Sequence, residues 1–321
     1  MSAEEWRTRR TKHLDDVSIV VLSYNRCDEL MRNLAVLCEL HLVAGAELII
    51  VDNHSTDGTQ AALDALLARL PSLKVIFSTV NLGVAGGRNK GWDAATRRFI
   101  LNLDDDTRID MAAVAAMRDA ALRLAGDAIL TPKVLHAETG ECQNGYGDTV
   151  NEPANFHGAC HFLAAKVARD VGPIDPQCTF GGEELDYSIR SRVRGYPTVF
   201  LSHIRVHHNS LLRKGSSGKW RRERWVYNFS RIYFKYFPGR YAVLFLTRFL
   251  LAQLMSAASG GDALVIPSLV RQAARGIANG RRDKMRLPEP VLKFYTDRRL
   301  VPDFGNRPMI DKLVSRLSPP A

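Results

Sequence analysis

The stretch "FILNLDDDTRID", residues 99 to 110, ends an apolar run with three consecutive aspartates, Asp104, Asp105 and Asp106. Adjacent carboxylates repel one another, so they usually face water, cap a helix or hold a cation that offsets their charge. Asp110 alone can cap the apolar-rich helix that follows, because aspartate accepts hydrogen bonds from the first helical N–H groups. The other three aspartates leave two interpretations open, a solvated strand end or a divalent-cation site.

Apolar runs of strand length alternate with helical segments through the first half of the chain. They are "VSIVVL" (17–22), "ELIIV" (47–51), "LKVIF" (73–77) and "FILNL" (99–103). This alternation predicts βαβ units and a mainly parallel sheet with helices on both faces. Such sheets bind ligands at the carboxyl ends of their strands, where loops and helix N-termini meet.

Polar residues follow each of these runs: "SYNR" (23–26), "DNHSTDGT" (52–59), "TVNLGVAGGRNKG" (79–91) and the aspartates. A dinucleotide-binding domain would also carry an acidic residue after its second strand, as Asp52 does. It would need glycines in the first strand-to-helix turn, so that a pyrophosphate could approach the backbone. The turn "LSYNRCDEL" contains none, which argues against a nicotinamide dinucleotide site.

Composition indicates a globular protein with an uneven charge distribution. The chain has 321 residues, 46% of them hydrophobic, and can bury a large core. Its five cysteines form no C-x-x-C pair, which argues against a thiolate zinc site and favours a reducing cytoplasm.

Residues 211–321 hold 22 basic and 7 acidic residues, whereas residues 1–210 hold 22 basic and 27 acidic residues. An acidic body therefore carries a basic tail.

A second acidic cluster and a pair of histidines follow the aspartates. The segment "GGEELDYSIRSRVRGY" (181–196) places Glu183, Glu184 and Asp186 at the start of a predicted helix. A strand-like run then ends at His207 and His208. Acidic residues also interact favourably with a helix N-terminus, and a basic residue four positions after Asp186 can pair with it, so a structural role stays open.

In their order, these motifs resemble those of the family-2 glycosyltransferases. The resemblance rests on "SIVVLSYNR", "ELIIVDNHSTDGT", "NLGVAGGRNKG", "LNLDDD", "GPID" followed by "GGEELD", and "VHH", and it covers about residues 17–210. It implies an α/β fold of GT-A type, with a Rossmann-like, mainly parallel sheet flanked by helices and a C-terminal basic helical extension. The tail is similar to that of the rhamnosyltransferase-like and galactofuranosyltransferase-like bacterial members.

The resemblance implies that the aspartates bind Mn²⁺ or Mg²⁺ and the diphosphate of a sugar donor. Asp106 corresponds to the metal ligand of a D-x-D element, while Asp104 and Asp105 face the ribose and the diphosphate. His207 corresponds to a late histidine that completes the coordination sphere, although the adjacent His208 keeps this assignment open. An imidazole ligand would favour Mn²⁺. The metal would neutralise charge that grows on the departing diphosphate.

Further donor contacts are assigned by the same resemblance. Asp52 would accept a hydrogen bond from the N3–H of uracil or thymine. Adenine and cytosine lack this N–H group, so UDP- or dTDP-sugars are favoured as sugar donors. The other residues expected around the nucleotide sugar are Ser23, Asn25, Arg26, Arg88, Asn89 and Glu183.

Catalysis requires a base, because an acceptor hydroxyl is a poor nucleophile at neutral pH. By resemblance this base is Glu184, in an element that reads "EELD" where the family usually has E-D-x-D, and Asp186 is the reserve candidate. Glutamate is one methylene longer than the usual aspartate, and this matters because a misplacement of the carboxylate on the order of 1 Å can cost roughly 100-fold in rate. With one base and no evident nucleophile, direct displacement with inversion is expected.

The basic tail predicts amphipathic helices. In "WRRERWVYNFSRIYFKYF" (220–237), aromatic and apolar residues recur at three-four spacing. This face suits either an anionic membrane interface or the catalytic domain, and both stay open. The segment 241–259 is nearly long enough to span a bilayer, but Arg248 near its centre would cost about 2.5 to 3.5 kcal/mol. A nucleic-acid partner is disfavoured, because no stacking platform is recognisable.

Three segments are expected: an N-terminal extension (1–16), a GT-A catalytic domain (17–210) and a basic amphipathic helical extension (211–321). The catalytic domain would divide into a nucleotide-sugar half (17–110) and an acceptor half (111–210). The protein is expected to lie in the cytoplasm, on the inner face of the cell membrane, with peripheral membrane contact through residues 219–282.

The predicted function is that of an inverting, divalent-metal-dependent hexosyl- or deoxyhexosyltransferase. It would act on a lipid-linked or polysaccharide acceptor in bacterial envelope glycan synthesis. The alternative is a non-catalytic nucleotide-sugar-binding subunit of an envelope-assembly complex, which the "EELD" departure supports. Donor sugar, acceptor, linkage and oligomeric state stay open.

Overall fold

The four apolar runs at the start of the chain form adjacent strands of one sheet. The computed structural model describes residues 13–144, 150–209, 217–259 and 263–296, and within them this sheet has eight strands. In chain order the strands are β1 (Val17–Ser23), β2 (Glu47–Asp52), β3 (Lys74–Phe77), β4 (Phe99–Asp104), β5 (Thr107–Arg108), β6 (Ile129–His136), β7 (Cys160–Ala164) and β8 (Thr198–His208). Every residue of β1 and β2 is buried, as expected for parallel strands covered on both faces.

Helices alternate with these strands and then follow them. In chain order they are α1 (Cys27–Leu42), α2 (Thr59–Arg69), α3 (Gly83–Ala94), α4 (Met111–Arg123), α5 (Ala165–Val171), α6 (Glu183–Val193), α7 (Ser217–Tyr236), α8 (Gly239–Ser259), α9 (Ile266–Arg282) and α10 (Glu289–Thr296), with a 3₁₀ turn (Ala263–Val265) before α9. Asp110 caps α4 as predicted, because its carboxylate accepts a 2.7 Å hydrogen bond from the Ala113 amide.

The strand order brings the polar loops to one edge of the sheet. It runs β3-β2-β1-β4-β7-β6-β8-β5, and the first four of these strands are mutually parallel. Since β7 is antiparallel to both β4 and β6, while β8 is parallel to β6, the carboxyl ends of β4 and β8 lie at the same edge. The pairing of Thr107 with His208 then places the end of β8 beside the aspartates.

The C-terminal helices form a second hydrophobic core. Its buried residues include Tyr233 and Phe237 of α7 together with Leu185 and Ile189 of α6. The contact of α9 with α7 is close, since a Cβ added at Gly276 would lie 2.5 Å from a backbone oxygen of α7. The tail therefore packs on α6, in the predicted acceptor half. The last sheet strand ends at His208 and α7 begins at Ser217, on either side of the predicted boundary, and the division into domains stays a prediction.

The aromatic face of α7 is buried in the C-terminal part of the helix. Tyr233, Tyr236 and Phe237 are at most 2% exposed, so this part of the face packs against the neighbouring helices and is not available to a membrane. Helical periodicity predicted that the face would be covered, but it could not say by what. No helix in the described part of the chain combines the length and the hydropathy needed to cross a bilayer.

Candidate active site

An Asp–Asp–His group lies at the carboxyl edge of the sheet. One ligand atom from each of Asp104, Asp106 and His208 lies within 4.8 Å of the others. Asp106 is 3% exposed, and its Oδ1 lies 3.1 Å from His208 Nε2. That oxygen makes no hydrogen bond to any described residue. A buried carboxylate oxygen that lacks a donor, next to an imidazole, is a suitable ligand for a divalent cation.

The tautomer of His208 also suits metal ligation. Its Nδ1 lies 2.7 Å from Gln143 Oε1. Burial lowers the pKa of His208, which favours the neutral form of the ring. An amide oxygen only accepts hydrogen bonds, so Nδ1 carries the proton and Nε2 directs its lone pair towards the carboxylates.

The histidine in this group is His208 and not the expected His207. Successive side chains of an extended strand point to opposite faces of the sheet. His207 is exposed, and it pairs in register with Arg108. The expected ligand therefore lies on the wrong face of β8, and its neighbour takes the position.

Arg88 connects the aspartates to the second acidic cluster. Its side chain is 2% exposed, and Nη2 donates to Asp104 Oδ1 (2.6 Å) and to the Gly158 carbonyl (2.7 Å). Nη1 lies 4.0 Å from Glu183 Oε1. Burial would raise the pKa of Asp104, but the charge of Arg88 contributes to a net lowering. Arg88 thus keeps Asp104 ionised and holds it in place.

Glu184 lies beside Arg88 at the start of α6. The helix follows two glycines with left-handed backbone angles, Gly181 (φ 72°) and Gly182 (φ 89°). A Cβ on Gly158 would lie 2.6 Å from Glu184 Oε1 and 3.7 Å from Arg88 Nη1, so these two side chains approach each other at this glycine, and a side chain there would displace the Glu184 carboxylate. Burial raises the pKa of Glu184. A carboxylate with a raised pKa is a stronger base, which suits proton abstraction.

Glu183 is the more deeply buried member of the acidic pair. Burial and the neighbouring Glu184 both raise its pKa well above the ordinary value. Its Oε2 has no hydrogen-bond partner among the described residues. Its proposed contact with the nucleotide sugar stays a prediction.

Asp186, the reserve candidate for the base, is a buried structural anchor. Its Oδ1 accepts hydrogen bonds from Lys235 (2.8 Å) and Tyr236 (2.7 Å), and its Oδ2 accepts one from Arg190 (2.8 Å). Burial would raise its pKa, but Arg190 and Lys235 produce a net lowering, so Asp186 is a weak base. Residues two positions apart on a helix point about 200° away from each other around its axis, which is why Asp186 faces α7 while Glu184 does not.

The loops after β1 and β2 are tied together at the expected base pocket. The backbone N–H of Asn25 donates to Ser55 Oγ (2.9 Å), and the side-chain Oδ1 of Asn25 accepts from the backbone N–H of Thr56 (2.7 Å). Asp52 is 2% exposed, and its carboxylate accepts a 3.2 Å hydrogen bond from the Ser55 amide. Recognition of the base by Asp52 and Asn25 stays a prediction.

Asp105 is held by residues of the first strand end. Ser23 Oγ donates to Asp105 Oδ2 (2.8 Å), and Arg26 Nη1 lies 3.7 Å from Asp105 Oδ1. Burial raises the pKa of Asp105 to about 7, although Arg26 and Ser23 oppose the rise. Ser23, Arg26 and Asp105 therefore belong to one cluster with Asp106, as the order of the motifs suggested.

Asn89 is bonded to a loop that lies far from it in the sequence. Its amide group donates to the Ile174 carbonyl (2.8 Å) and accepts from the Ile174 amide (2.9 Å). Both ends of the side chain are thus engaged by the "GPID" loop. Asn89 holds that loop against α3, and its contact with the donor stays a prediction.

Sequence reasoning did not identify Gln143 or Gly158. Gln143 reaches His208 because Cys142 forms a bridge with Leu135 on β6. Gly158 lies between two side chains that are distant in sequence. Neither residue stands in a motif, so only the folded chain reveals them.

Two family descriptions match the chain. "Glycosyl transferase family 2" matches residues 18–156, and "Glycosyl transferase family group 2" matches residues 99–270, which is more than half of the chain. The chain therefore belongs to the family-2 glycosyltransferases, and the resemblance drawn from the motifs is confirmed. The sub-branch stays a prediction.

Curated relatives are similar over a limited region. The succinoglycan biosynthesis protein ExoO of Rhizobium meliloti is 34% identical over 94 residues, which are 29% of this chain and 26% of that protein. The putative teichuronic acid biosynthesis glycosyltransferase TuaG of Bacillus subtilis is 34% identical over 93 residues, 29% of this chain and 36% of its own length. The chain thus spans between about a quarter and about a third of the length of these relatives.

Solved structures show the same fold over most of the chain. The mannosyltransferase PcManGT from Pyrobaculum calidifontis, in complex with GDP-Man and Mn²⁺, has a TM-score of 0.55 and 17% identity, covering 88% of this chain and 92% of its own. S. aureus TarS 1-349 has a TM-score of 0.54 and 17% identity, with 88% and 91% covered. These similarities establish the GT-A fold.

Proposed function

We propose that this protein transfers a hexosyl or deoxyhexosyl group from a nucleotide diphosphate donor to an acceptor hydroxyl, with a divalent cation and with inversion. One observation carries the proposal: Arg88 is bonded to Asp104 of the Asp–Asp–His group and lies beside Glu184. One buried guanidinium thus bonds to the cation-binding group and lies near a carboxylate of raised pKa. This is the arrangement needed to separate a leaving diphosphate from an attacking hydroxyl.

Asp104, Asp106 and His208 would hold the cation. Carboxylate oxygens suit Mg²⁺ and Mn²⁺, and the imidazole favours Mn²⁺. When bound, the cation would neutralise the charge that develops on the departing diphosphate. The Mn²⁺ in the PcManGT complex supports this proposal.

Glu184 would take the proton of the acceptor hydroxyl. Direct attack on the anomeric carbon, assisted by one base, inverts its configuration. Asp186 is not needed for this step, since its oxygens bind Lys235, Tyr236 and Arg190. The favoured donors are UDP- and dTDP-sugars, because Asp52 can accept the N3–H of their bases.

The acceptor side is proposed to include an aromatic cluster at the loop before α6. Phe180 stacks on Trp225 at 6.0 Å and lies 5.4 Å from Trp220, measured between ring centroids. Trp220 and Trp225 are 44% and 37% exposed. Exposed aromatic rings can pack on the apolar faces of sugars. This supports a polysaccharide or lipid-linked acceptor, as do the names of the two relatives.

Peripheral membrane contact is proposed for α8 in place of the buried face of α7. Exposed apolar side chains recur along one side of α8, at Val243, Leu244, Leu251 and Met255. Neither α8 nor α9 contains an acidic residue, and both carry arginines. An apolar, basic surface suits the interface of an anionic bilayer, such as the cytoplasmic face of a cell membrane where envelope glycans are assembled.

The test is an assay of the purified protein with a panel of UDP-, dTDP- and GDP-sugars, with Mn²⁺ or with EDTA. We expect nucleotide diphosphate release that depends on the metal and the acceptor, and a product of inverted anomeric configuration by NMR. Retention would refute direct displacement. Binding of donors without any release of nucleotide diphosphate would favour the binding-subunit alternative.

A further inference from the structure

The guanidinium of Arg26 lies against the carboxylates of the proposed cation site. Its Nη1 contacts Asp106 Oδ2 and lies 3.7 Å from Asp105 Oδ1. The second oxygen of Asp106, Oδ1, faces His208 at 3.1 Å. Asp106 therefore contacts the Arg26 guanidinium through Oδ2 and faces the other residues of the proposed metal site through Oδ1.

The backbone of Arg26 is held by its neighbours, whereas its side chain lies partly in solvent. Arg26 is the N-terminal cap position of α1, and it follows Asn25, which has a left-handed φ of 52°. The Asn25 backbone N–H donates to Ser55 Oγ and the Thr56 backbone N–H donates to Asn25 Oδ1, and these hydrogen bonds hold this turn against the loop after β2. The Arg26 side chain is 24% exposed. Rotation of its bonds can thus carry the guanidinium several ångströms without moving the backbone.

A divalent cation on Asp106 would repel this guanidinium. Both positive groups would share one carboxylate whose side chain is 1% exposed, where solvent screening is weak. Arg88 already supplies another positive charge on Asp104, 2.6 Å from its Oδ1. The cation and Arg26 therefore compete for the same negative charge.

The diphosphate of the donor offers the displaced guanidinium a new partner. It brings negative charge to the site together with the metal, and the planar fork of arginine matches phosphate oxygens. We propose that Arg26 is an exchangeable counterion, which balances Asp105 and Asp106 and transfers to the diphosphate when the metal and the donor bind. The inference rests on the proposed function, because it assigns Arg26 a role at the same donor site.

Such an exchange couples the two ligands thermodynamically. The metal releases Arg26 for the diphosphate, and the diphosphate stabilises Arg26 away from the metal, so each ligand raises the affinity for the other. Removing the guanidinium should have two opposite effects, tighter binding of the metal alone and weaker coupling to the nucleotide. A residue with only a structural role would not separate these effects.

The experiment is a titration of the full chain with Mn²⁺, followed by the EPR signal of free Mn²⁺, with and without UDP and corrected for Mn²⁺ held by free UDP. In Arg26→Gln we expect Mn²⁺ alone to bind at least about fivefold tighter than in the wild type, with most of the UDP enhancement lost. Arg26→Lys keeps the charge without the fork, so Mn²⁺ affinity should stay near that of the wild type while the UDP enhancement falls.

Arg32→Gln is the matched control, because it removes a guanidinium from the same helix that pairs at 3.3 Å with Glu29. We expect both measurements to match the wild type, and thermal melting will confirm that each variant is folded. Unchanged or weaker Mn²⁺ binding by Arg26→Gln would overturn the exchange alone. Absence of Mn²⁺ binding by the wild type, with or without UDP, would overturn the metal dependence of the proposed function as well.

Discussion

Glu184 and Asp186 lie two residues apart on α6, but their carboxylates have different surroundings. Glu184 lies beside Gly158, next to Arg88. Asp186 accepts hydrogen bonds from Lys235 and Tyr236 of α7. One turn of α6 therefore presents a candidate base to the aspartate cluster and anchors the helix to the C-terminal extension. The extension thus supports the position of the base.

Replacement of the candidate base should remove catalysis but leave donor binding intact. For Glu184→Gln we expect kcat to fall by about 10² to 10⁴, the usual contribution of a general base. Glu184→Asp should retain part of the activity, because the charge remains but the carboxylate recedes. Nucleotide diphosphate release measures kcat, and calorimetry with UDP and Mn²⁺ measures binding. Near wild-type turnover by Glu184→Gln would show that another group takes the proton.

As the pH is lowered, kcat should begin to fall at a higher pH than it would if the base were a glutamate of ordinary pKa. Burial raises the pKa of Glu184, and a base acts only when it is deprotonated, so activity is lost as the pH drops through that raised pKa. The profile of kcat against pH should show this limb in the wild type. The residual activity of Glu184→Gln should lack it, and a limb that persists unchanged would assign the titration to a different group.

Loss of the Asp186 carboxylate should affect stability as its first consequence. Asp186→Asn removes the carboxylate that lies 2.8 Å from the buried ammonium of Lys235 and leaves it the more distant Asp175 at 3.6 Å. Breaking a buried ion pair costs about 3 to 5 kcal/mol, and Asp175 should reduce that cost. Urea unfolding measures the free energy. Asp127→Asn is the control, because the exposed pair that Asp127 makes with Lys166 should contribute only about 0 to 1 kcal/mol. Equal stability of the two variants would contradict the anchoring role.

The two adjacent histidines should differ in metal binding. His208→Ala removes the imidazole beside Asp104 and Asp106 and should weaken Mn²⁺ binding roughly 10- to 100-fold, while His207→Ala should leave it unchanged. Titration of each variant with Mn²⁺ in the presence of UDP makes the comparison. A larger loss in His207→Ala would mean that the strand face assigned to His208 is wrong.

Membrane contact should depend on the exposed side of α8. Leu251 is 55% exposed, and Leu251→Glu should abolish sedimentation with vesicles that contain phosphatidylglycerol, because it adds an anionic charge to an apolar, basic surface. Vesicles of phosphatidylcholine alone should bind weakly even with the wild type. Val36→Glu, at an exposed apolar position on α1, should behave as the wild type does. Vesicle binding that survives in Leu251→Glu would exclude this surface.

Whereas β5, β6 and β7 were recognised only in the structure, the sequence by itself determined the first four strands, their order along the chain and the edge at which the polar residues meet. These are local properties, because a strand is specified by a short apolar run and its end by the polar residues that follow. The aspartates after β4 and the acidic start of α6 were identified for this reason. Family membership followed from the order of the same motifs and is confirmed by the matched ranges.

Only the tertiary structure decided which side of each element faces the site. His208 replaces His207 because strand pairing sets the face of β8, and Asp186 is an anchor because α7 packs on that side of α6. Asn89 binds the "GPID" loop through contacts between residues far apart in the chain. Periodicity in a sequence shows that a face will be covered, but the partner that covers it depends on how distant elements pack.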